Sequence, residues 1–297
     1  EYPDTPIKLL TGMAEGADRL VAKAALEEGI SIQAVLPMPL EFYRSDFDQD
    51  SNADLDQLIQ SPLCDLVELP VPHGLDTESI VSQGEPRDSL YSQLGDYLIQ
   101  NSSILISLWD GEVNELNGGT ADVTLKYLNT KAADILKILT EIPILLDPTE
   151  YVYWVPVKRS SKTNVSTFSA LPEHAGFLTG GLGANTLYLQ PDMPDELKSQ
   201  LKYLNDYNAQ YEQLVSENKF FSWGGLIDNL KAPESHADYS LLKAIDAEYQ
   251  KADGLALFNQ RFSDRQFKLF AYMAGLMGLL FLLYAKILAS KIFLIGY

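Results

Sequence analysis

The sequence contains little cysteine and histidine. Cys64 is the single cysteine in 297 residues, so the chain cannot form an intrachain disulfide. It lies in an apolar stretch, residues 64–69, where a strand cysteine is typically a small packing side chain rather than a nucleophile. The histidines His73, His174 and His236 are far apart and form no metal-ligand spacing with this cysteine. The sequence therefore does not support a zinc site.

Positive charge is also scarce. The chain has 22 Lys and Arg residues against 41 Asp and Glu residues, which gives a formal net charge of −19. Residues 41–122 contain seventeen acidic and two basic residues, whereas residues 123–297 contain eighteen and seventeen. A nucleic-acid interface needs a basic patch to neutralise phosphates, so we expect no nucleic-acid partner. An acidic block of this kind is typical of a solvated surface.

The N-terminus lacks the features of a secretory leader. The chain begins with Glu1 rather than methionine, and residues 1–10 have neither a basic start nor an apolar core. We therefore expect a fragment or a processed form. Global disorder is excluded, because a hydrophobic fraction of 46% and an aromatic fraction of 10% supply enough apolar material for a large core.

Charge is absent from one long segment near the C-terminus. Residues 269–285 contain no charged residue between Lys268 and Lys286, and as a helix they would be about 26 Å long. A segment of this length is either a buried core helix or a membrane span. Its apolar residues surround the whole helix, which favours the span. We therefore expect a lipid bilayer as a partner and a transmembrane region at residues 267–297, with a second span after Lys286 as an open alternative.

Basic residues gather on the N-terminal side of this segment. Arg261, Arg265 and Lys268 lie within eight residues of one another. By the positive-inside rule, this cluster predicts that residues 1–265 are cytoplasmic.

Strands and helices are predicted to alternate over the first 150 residues. Apolar runs favour strands at residues 7–11, 30–36, 63–69, 104–109 and 142–146. Helical periodicity favours helices at residues 17–28, 87–100 and 121–128, the first with Leu20, Val21, Ala24 and Ala25 on one side. This alternation predicts an α/β fold with a doubly wound, mainly parallel sheet, which binds ligands beyond the carboxyl ends of its strands.

Two glycine turns follow predicted strands and open predicted helices. They lie at residues 12–18 and 118–120. Each would present backbone N–H groups and the positive end of a helix dipole, and two such junctions on one rim can hold a phosphate from two sides. The first turn is not the GxGxxG dinucleotide motif, because its glycines are four residues apart. A purely structural role for both turns is the alternative.

The pattern loosens beyond residue 148. Residues 151–157 and 186–190 are predicted strands, and long helices are predicted at residues 194–217 and 239–265. We therefore expect an α/β domain at residues 1–192 with an irregular insertion at about residues 150–192. A helical connector at residues 193–266 then leads to the transmembrane region.

Four stretches in the first half of the chain carry a family resemblance. The stretches LLTGMAEGADRLVAKAAL and IQAVLPMP, followed by DYLIQNSSILISLWDGEV and NGGTADV, resemble the SLOG superfamily over residues 7–146. This Rossmann-like group includes the DNA-processing protein A fold, the LOG phosphoribohydrolases and the N-terminal ligand-binding domains of TRPM channels. The resemblance implies a Rossmann-like domain whose first strand and own ligand loop would lie before Glu1.

The resemblance also implies a ligand site formed by both glycine turns. The matching positions are Thr11, Gly12, Glu15, Gly16 and Asp18 in the first turn and Asp110, Gly111, Gly118, Gly119 and Thr120 in the second. LOG enzymes carry PGGxGTxxE with a catalytic glutamate, but here Asn117 replaces the proline and Val123 occupies the position of the glutamate. Hydrolysis of the LOG type is therefore not expected, although Glu15 or Asp110 could act as a general base in another geometry.

Three functions stay open at this point. The first is a membrane-tethered, homo-oligomeric sensor that binds a nucleotide-derived ligand and signals to its transmembrane segments, which family analogy places in bacterial stress or antiviral defence. The second is an enzyme that cleaves a nucleotide, of the phosphoribohydrolase or NAD glycohydrolase type, and the third is a scaffold without a ligand. Arg19 and Arg44 are the expected ligand cations, each with a surface ion pair as the alternative. No cofactor is assigned, but the acidic rim is compatible with a divalent cation that bridges to phosphates.

Overall fold

The chain folds into two compact units. The computed structural model describes residues 2–75, 80, 84–113, 118–128, 137–139, 150–157, 174–180, 186–222, 224–225, 227 and 239–285. The first unit, called the α/β unit here, is Pro6–Gln200. The second, called the helical unit, combines Glu1–Thr5 with Leu201–Tyr297.

A three-stranded parallel sheet forms the first part of the α/β unit. Its order is β1 (Lys8–Thr11), β2 (Ser31–Leu36) and β3 (Cys64–Glu68). Helix α1 (Ala17–Glu27) joins β1 to β2, while α2 (Leu40–Tyr43), a 3-10 turn (Arg44–Asp46) and α3 (Gln49–Ile59) precede β3. Ile32, Ala34 and Leu36 of β2 are fully buried in a core cluster, against which Cys64 packs. Cys64 is thus a packing side chain, and burial raises the pKa of its thiol.

A five-stranded mixed sheet forms the second part. Helix α4 (Glu85–Asn101) leads into β4 (Leu105–Trp109), and α5 (Thr120–Tyr127) follows. The strand order is β4, β6 (Val152–Pro156), β7 (Gly176–Gly180), β8 (Thr186–Gln190) and β5 (Lys137–Leu139). The β4–β6 and β5–β8 pairs are parallel, whereas β7 is antiparallel to both of its neighbours. Trp109, Trp154 and Leu178 are fully buried at the centre of this part.

The predicted α/β class with parallel pairing is confirmed, but the sheet organisation differs from the prediction. The strands that the structure describes form two separately hydrogen-bonded sheets, and β7 was not predicted. This strand is short and bounded by glycines, so it gave little periodic signal. Gly176 is nevertheless required there, because a Cβ would lie 2.7 Å from the Gln190 carbonyl oxygen of β8. The strand predicted at residues 142–146 lies outside the described residues.

The buried side of α1 matches the predicted apolar side only in part. Arg19, Ala22 and Ala25 are the buried residues of this helix, whereas Leu20 is 62% exposed. The helix is rotated because the Arg19 guanidinium packs inward, over the Phe47 ring at 4.4 Å. Because α1 is short and rich in alanine, a single contact of this kind can determine which side of the helix faces the core.

Long helices dominate the helical unit. Helix α6 (Asp195–Ser216) begins in the α/β unit and continues into the helical unit, and α7 (Tyr239–Leu283) is one unbroken helix of 45 residues. At 1.5 Å per residue, α7 is about 67 Å long. Its segment Leu241–Leu283 is long and apolar enough to cross a membrane, with a mean hydropathy of 1.6 in its most apolar window, none of which is buried. The helix predicted at residues 239–265 and the charge-free segment after Lys268 belong to this one helix.

Candidate functional site

The first glycine turn has an unusual backbone. β1 ends at Thr11, α1 begins at Ala17, and the turn between them places Met13 at φ 57° and Gly16 at φ 95°. Residues other than glycine rarely adopt a positive φ, because their Cβ atom crowds the backbone. Met13 is fully buried, so packing of its side chain in the core holds this strained conformation.

Side chains of the chain itself engage the polar atoms of this turn. The Asp18 carboxylate accepts the Ala14 N–H at 3.2 Å. On the carbonyl side, the Tyr43 hydroxyl donates to Gly12 at 2.8 Å and Arg19 Nε donates to Met13 at 3.0 Å. The Ala14 N–H group is therefore already bonded within the chain.

Burial shifts the ionisation of Asp18. Burial raises the pKa of this carboxyl above its ordinary value. Hydrogen bonds from Ala14, Thr11 and Gly12 and the charge of Arg19 lower the pKa by a smaller amount. A negative charge at this position therefore costs more than it does in water.

In the second glycine turn, a carboxylate also accepts a backbone N–H group of the turn. The Asp122 carboxylate, in the first turn of α5, accepts the Gly118 N–H at 2.8 Å and forms an ion pair with Lys126 at 2.9 Å. As in the first turn, the carboxylate reaches an N–H group four residues earlier in the chain. Upstream, Asp110 accepts the Glu112 N–H at 3.1 Å, and Gly111 has φ 76°. Residues 114–117 lie outside the described part.

Both turns approach the same stretch of α4. A Cβ at Gly12 would lie 2.8 Å from Leu94 Cδ2, and a Cβ at Gly118 would lie 2.8 Å from the Ser92 backbone nitrogen. The turns therefore lie against residues 91–95 of one helix. This packing explains Gly12 and Gly118 without a ligand, as the structural alternative requires, and ligand binding at the turns stays a prediction.

The predicted site residues differ in their access to solvent. The exposed ones are Glu15, Gly16 and Thr120, the partly exposed ones are Asp18, Gly118 and Gly119, and the buried ones are Thr11, Gly12, Asp110 and Gly111. The two candidate general bases thus differ sharply, since Glu15 is exposed and Asp110 is 6% exposed.

Val123 packs on α4. A Cβ at Gly95 would lie 2.8 Å from Val123 Cγ2, so the two helices are in close contact at this point. By the sequence resemblance alone, this position corresponds to the catalytic glutamate of the LOG motif.

One buried arginine, Arg87, was not singled out by the sequence. Arg87 is 1% exposed, forms an ion pair with Asp46 at 2.7 Å and donates to the Ile80 carbonyl oxygen. The Tyr91 hydroxyl donates to the same Asp46, and burial raises its pKa, so it stays a protonated donor. The sequence signal that could have identified Arg87 is the scarcity of basic residues in this region, because Arg44 and Arg87 are the two bases among residues 41–122.

The two cations predicted to meet a ligand have other partners. Arg19 is 3% exposed and donates to the Ser51 carbonyl oxygen at 2.6 Å. Arg44 pairs with Asp56 at 2.5 Å near the surface, which is the ion pair considered as its alternative role. Among the described residues, no group of three or more His, Cys, Asp or Glu side chains is arranged to hold a metal ion.

Comparison with known proteins gives no relative. No protein-family model matches the chain, and neither a curated protein nor a solved structure matches it. The resemblance to the SLOG superfamily therefore rests on the sequence motifs.

Proposed function

We propose that this protein is a membrane-tethered sensor. Its α/β unit, a Rossmann-like domain of the SLOG type, binds a nucleotide-derived small ligand at the two glycine turns and signals to the transmembrane segment, in a homo-oligomer with the α/β unit on the cytoplasmic side. The observation that carries this proposal is α7, because one unbroken helix extends from a charged segment into an apolar segment with exposed side chains. A helix of this kind can transmit a movement into a bilayer.

The internal carboxylates support a switch at the turns. Asp18 and Asp122 accept backbone N–H groups that could instead bind a phosphate at the start of a helix. An incoming phosphate would displace a carboxylate, and the released side chain would change the packing at α4. Both turns contact this helix, so either one could produce the same response.

The contacts between α6 and α7 support transmission. The Lys251 ammonium group of α7 lies 4.9 Å from the ring centroids of both Tyr207 and Tyr211 of α6. It also donates to Asn208 Oδ1 at 2.5 Å. Because α6 begins in the α/β unit, this clamp gives a continuous route along the chain from that unit to α7.

A ligand screen tests the sensor. The full chain in detergent would be screened by thermal shift against mono-, di- and cyclic nucleotides, NAD and ADP-ribose, with chromatography to detect products. A ligand present at a hundredfold its Kd should stabilise the protein by about 2.7 kcal/mol. Binding without turnover is the expected result. Product formation would show that the protein is an enzyme rather than a sensor. The absence of any thermal shift would favour a scaffold that binds no ligand.

A charge variant tests the site. Asp18→Asn keeps an oxygen acceptor but removes the charge that competes with a phosphate, so it should increase the affinity for a phosphate-bearing ligand. Asp195→Asn is the matched control, because this side chain is 92% exposed at the start of α6. Equal affinity in both variants would contradict binding at the first turn.

A further inference from the structure

The membrane-proximal part of α7 has one basic face. Arg261, Arg265 and Lys268 follow one another at intervals of four and three residues, and Tyr272 comes four residues later. Residues at these intervals lie one above another on the same side of an α-helix. The four residues, called the basic face, extend about 16 Å along the helix axis. All four are exposed, Tyr272 by 75%.

The cations of this face are available to a partner. Within the described part of the chain, no acidic side chain forms an ion pair with Arg265 or Lys268. The Arg261 guanidinium lies 5.4 Å from the centroid of the Phe221 ring, and this contact orients it without neutralising its charge. Asp264 is the one acid among residues 261–272, so the face has a net positive charge in a chain whose total is −19.

We propose that the basic face binds the headgroup phosphate of an anionic phospholipid. The inference rests on the membrane-spanning part of the proposed function. Lys268 is the last charged residue before the apolar segment, which places the cations at the depth of the headgroups, and Tyr272 lies one turn further on with a hydroxyl that can donate.

The composition of the face fits a phosphate. Guanidinium groups bind phosphate with two parallel hydrogen bonds, and an ammonium group adds a point charge. Basic residues next to a span attract anionic lipids electrostatically. Because the cations share one side of the helix, the structure favours a single headgroup site rather than a ring of charge around α7.

A lipid titration tests this site. Dioctanoyl phosphatidylglycerol and dioctanoyl phosphatidylcholine would be added to the full chain in a neutral detergent, and bound lipids counted by native mass spectrometry. The anionic lipid should bind at least about tenfold more tightly. Glycerol phosphate without acyl chains should not compete for the site. Equal binding of the two lipids, or competition by glycerol phosphate, would overturn the proposal.

Matched variants keep the test independent of folding. The triple change Arg261→Gln, Arg265→Gln and Lys268→Gln should abolish the preference, while Arg261→Lys, Arg265→Lys and Lys268→Arg should retain it. A control that neutralises the exposed lysines Lys198, Lys202 and Lys219 of the α6 region should also retain it. Loss of the preference in this control, or its survival in the first variant, would refute the site.

Membrane extraction distinguishes failure of the lipid site from failure of the membrane span on which it rests. If alkaline carbonate removes the protein from membranes, the span fails and the lipid site fails with it. If the protein resists extraction but shows no anionic preference, the lipid site alone is wrong. The nucleotide screen reports on the sensor independently of both results.

Discussion

Gly118 and Gly29 both have a positive φ, but their surroundings differ. Gly118 has φ 75°, and its missing side chain leaves room for the backbone of Tyr91 and Ser92. Gly29, at the end of α1, has a similar φ of 72°, but a Cβ there would meet nothing within 4 Å. The two positions therefore separate the cost of an unfavourable φ from the cost of a steric clash.

Replacing each of these glycines with alanine should give unequal losses. Gly29→Ala should reduce the free energy of unfolding by about 1 kcal/mol, from backbone strain alone. Gly118→Ala should cost about 3 kcal/mol, because the new methyl group also contacts backbone atoms that cannot move aside easily. Thermal unfolding monitored by tryptophan fluorescence would measure both, since Trp109 and Trp154 lie in the core of the α/β unit. Equal losses would contradict the close contact with α4.

Asp18 should make stability depend on pH. Its pKa is raised in the folded protein, so the folded state binds a proton more readily than the unfolded state does. Its contribution to stability should therefore fall as the pH rises from the ordinary carboxyl value of 3.8 through the raised value. The melting temperature of wild-type protein relative to Asp18→Asn should decrease over this window and then level off. A relative increase with pH would show that the folded pKa is lowered instead.

The residues of the candidate site were only partly predictable. The motif positions and the departure at Val123 are visible in the sequence. Asp18 and Asp122 each accept an N–H group only four residues earlier in the chain, so these contacts are local. The burial of Arg19 instead depends on contacts with the distant Ser51. Local periodicity carries no information about such distant contacts, which is why Leu20, and not Arg19, was placed on the apolar side of α1.

At the scale of elements, local signals predicted most helices and strands and little of their assembly. The helix expected at residues 17–28 is α1 (Ala17–Glu27), and the strand expected at residues 186–190 is β8 (Thr186–Gln190). Capping residues, glycines and apolar runs act within a few residues, so they mark these bounds well. The antiparallel β7 and the division into two sheets depend on long-range pairing that those signals do not report.

The contact of α6 with α7 gives a prediction at this scale. Lys251→Met should lower the free energy of unfolding of the helical unit by about 2 kcal/mol, because it removes the hydrogen bond to Asn208 and the contacts with two tyrosine rings. Lys243→Met, at an exposed position on the same helix, should change it by less than about 0.5 kcal/mol. Circular dichroism during heating would compare the two variants. A similarly small loss of stability in both variants would mean that Lys251 does not hold α6 and α7 together.

At the scale of the whole molecule, composition predicted the separation of an acidic region from an apolar one. The acidic block of residues 41–122 belongs to the α/β unit, and the segment without charge forms the end of α7. The basic cluster at residues 261–268 lies where the helix predicted at residues 239–265 meets this segment. In the structure, the helix passes through this cluster without a break.

Hydrogen exchange tests the central claim, that ligand binding at the turns changes the helix leading to the membrane. The full chain in lipid nanodiscs would be measured alone and, separately, with ADP-ribose, NAD and cyclic nucleotides. The account predicts that at least one of these compounds slows exchange at residues 11–18 and 118–122 and also alters exchange in α6 and α7. Protection confined to the turns would contradict signalling, and unchanged exchange at the turns with every compound would contradict the proposed ligand site.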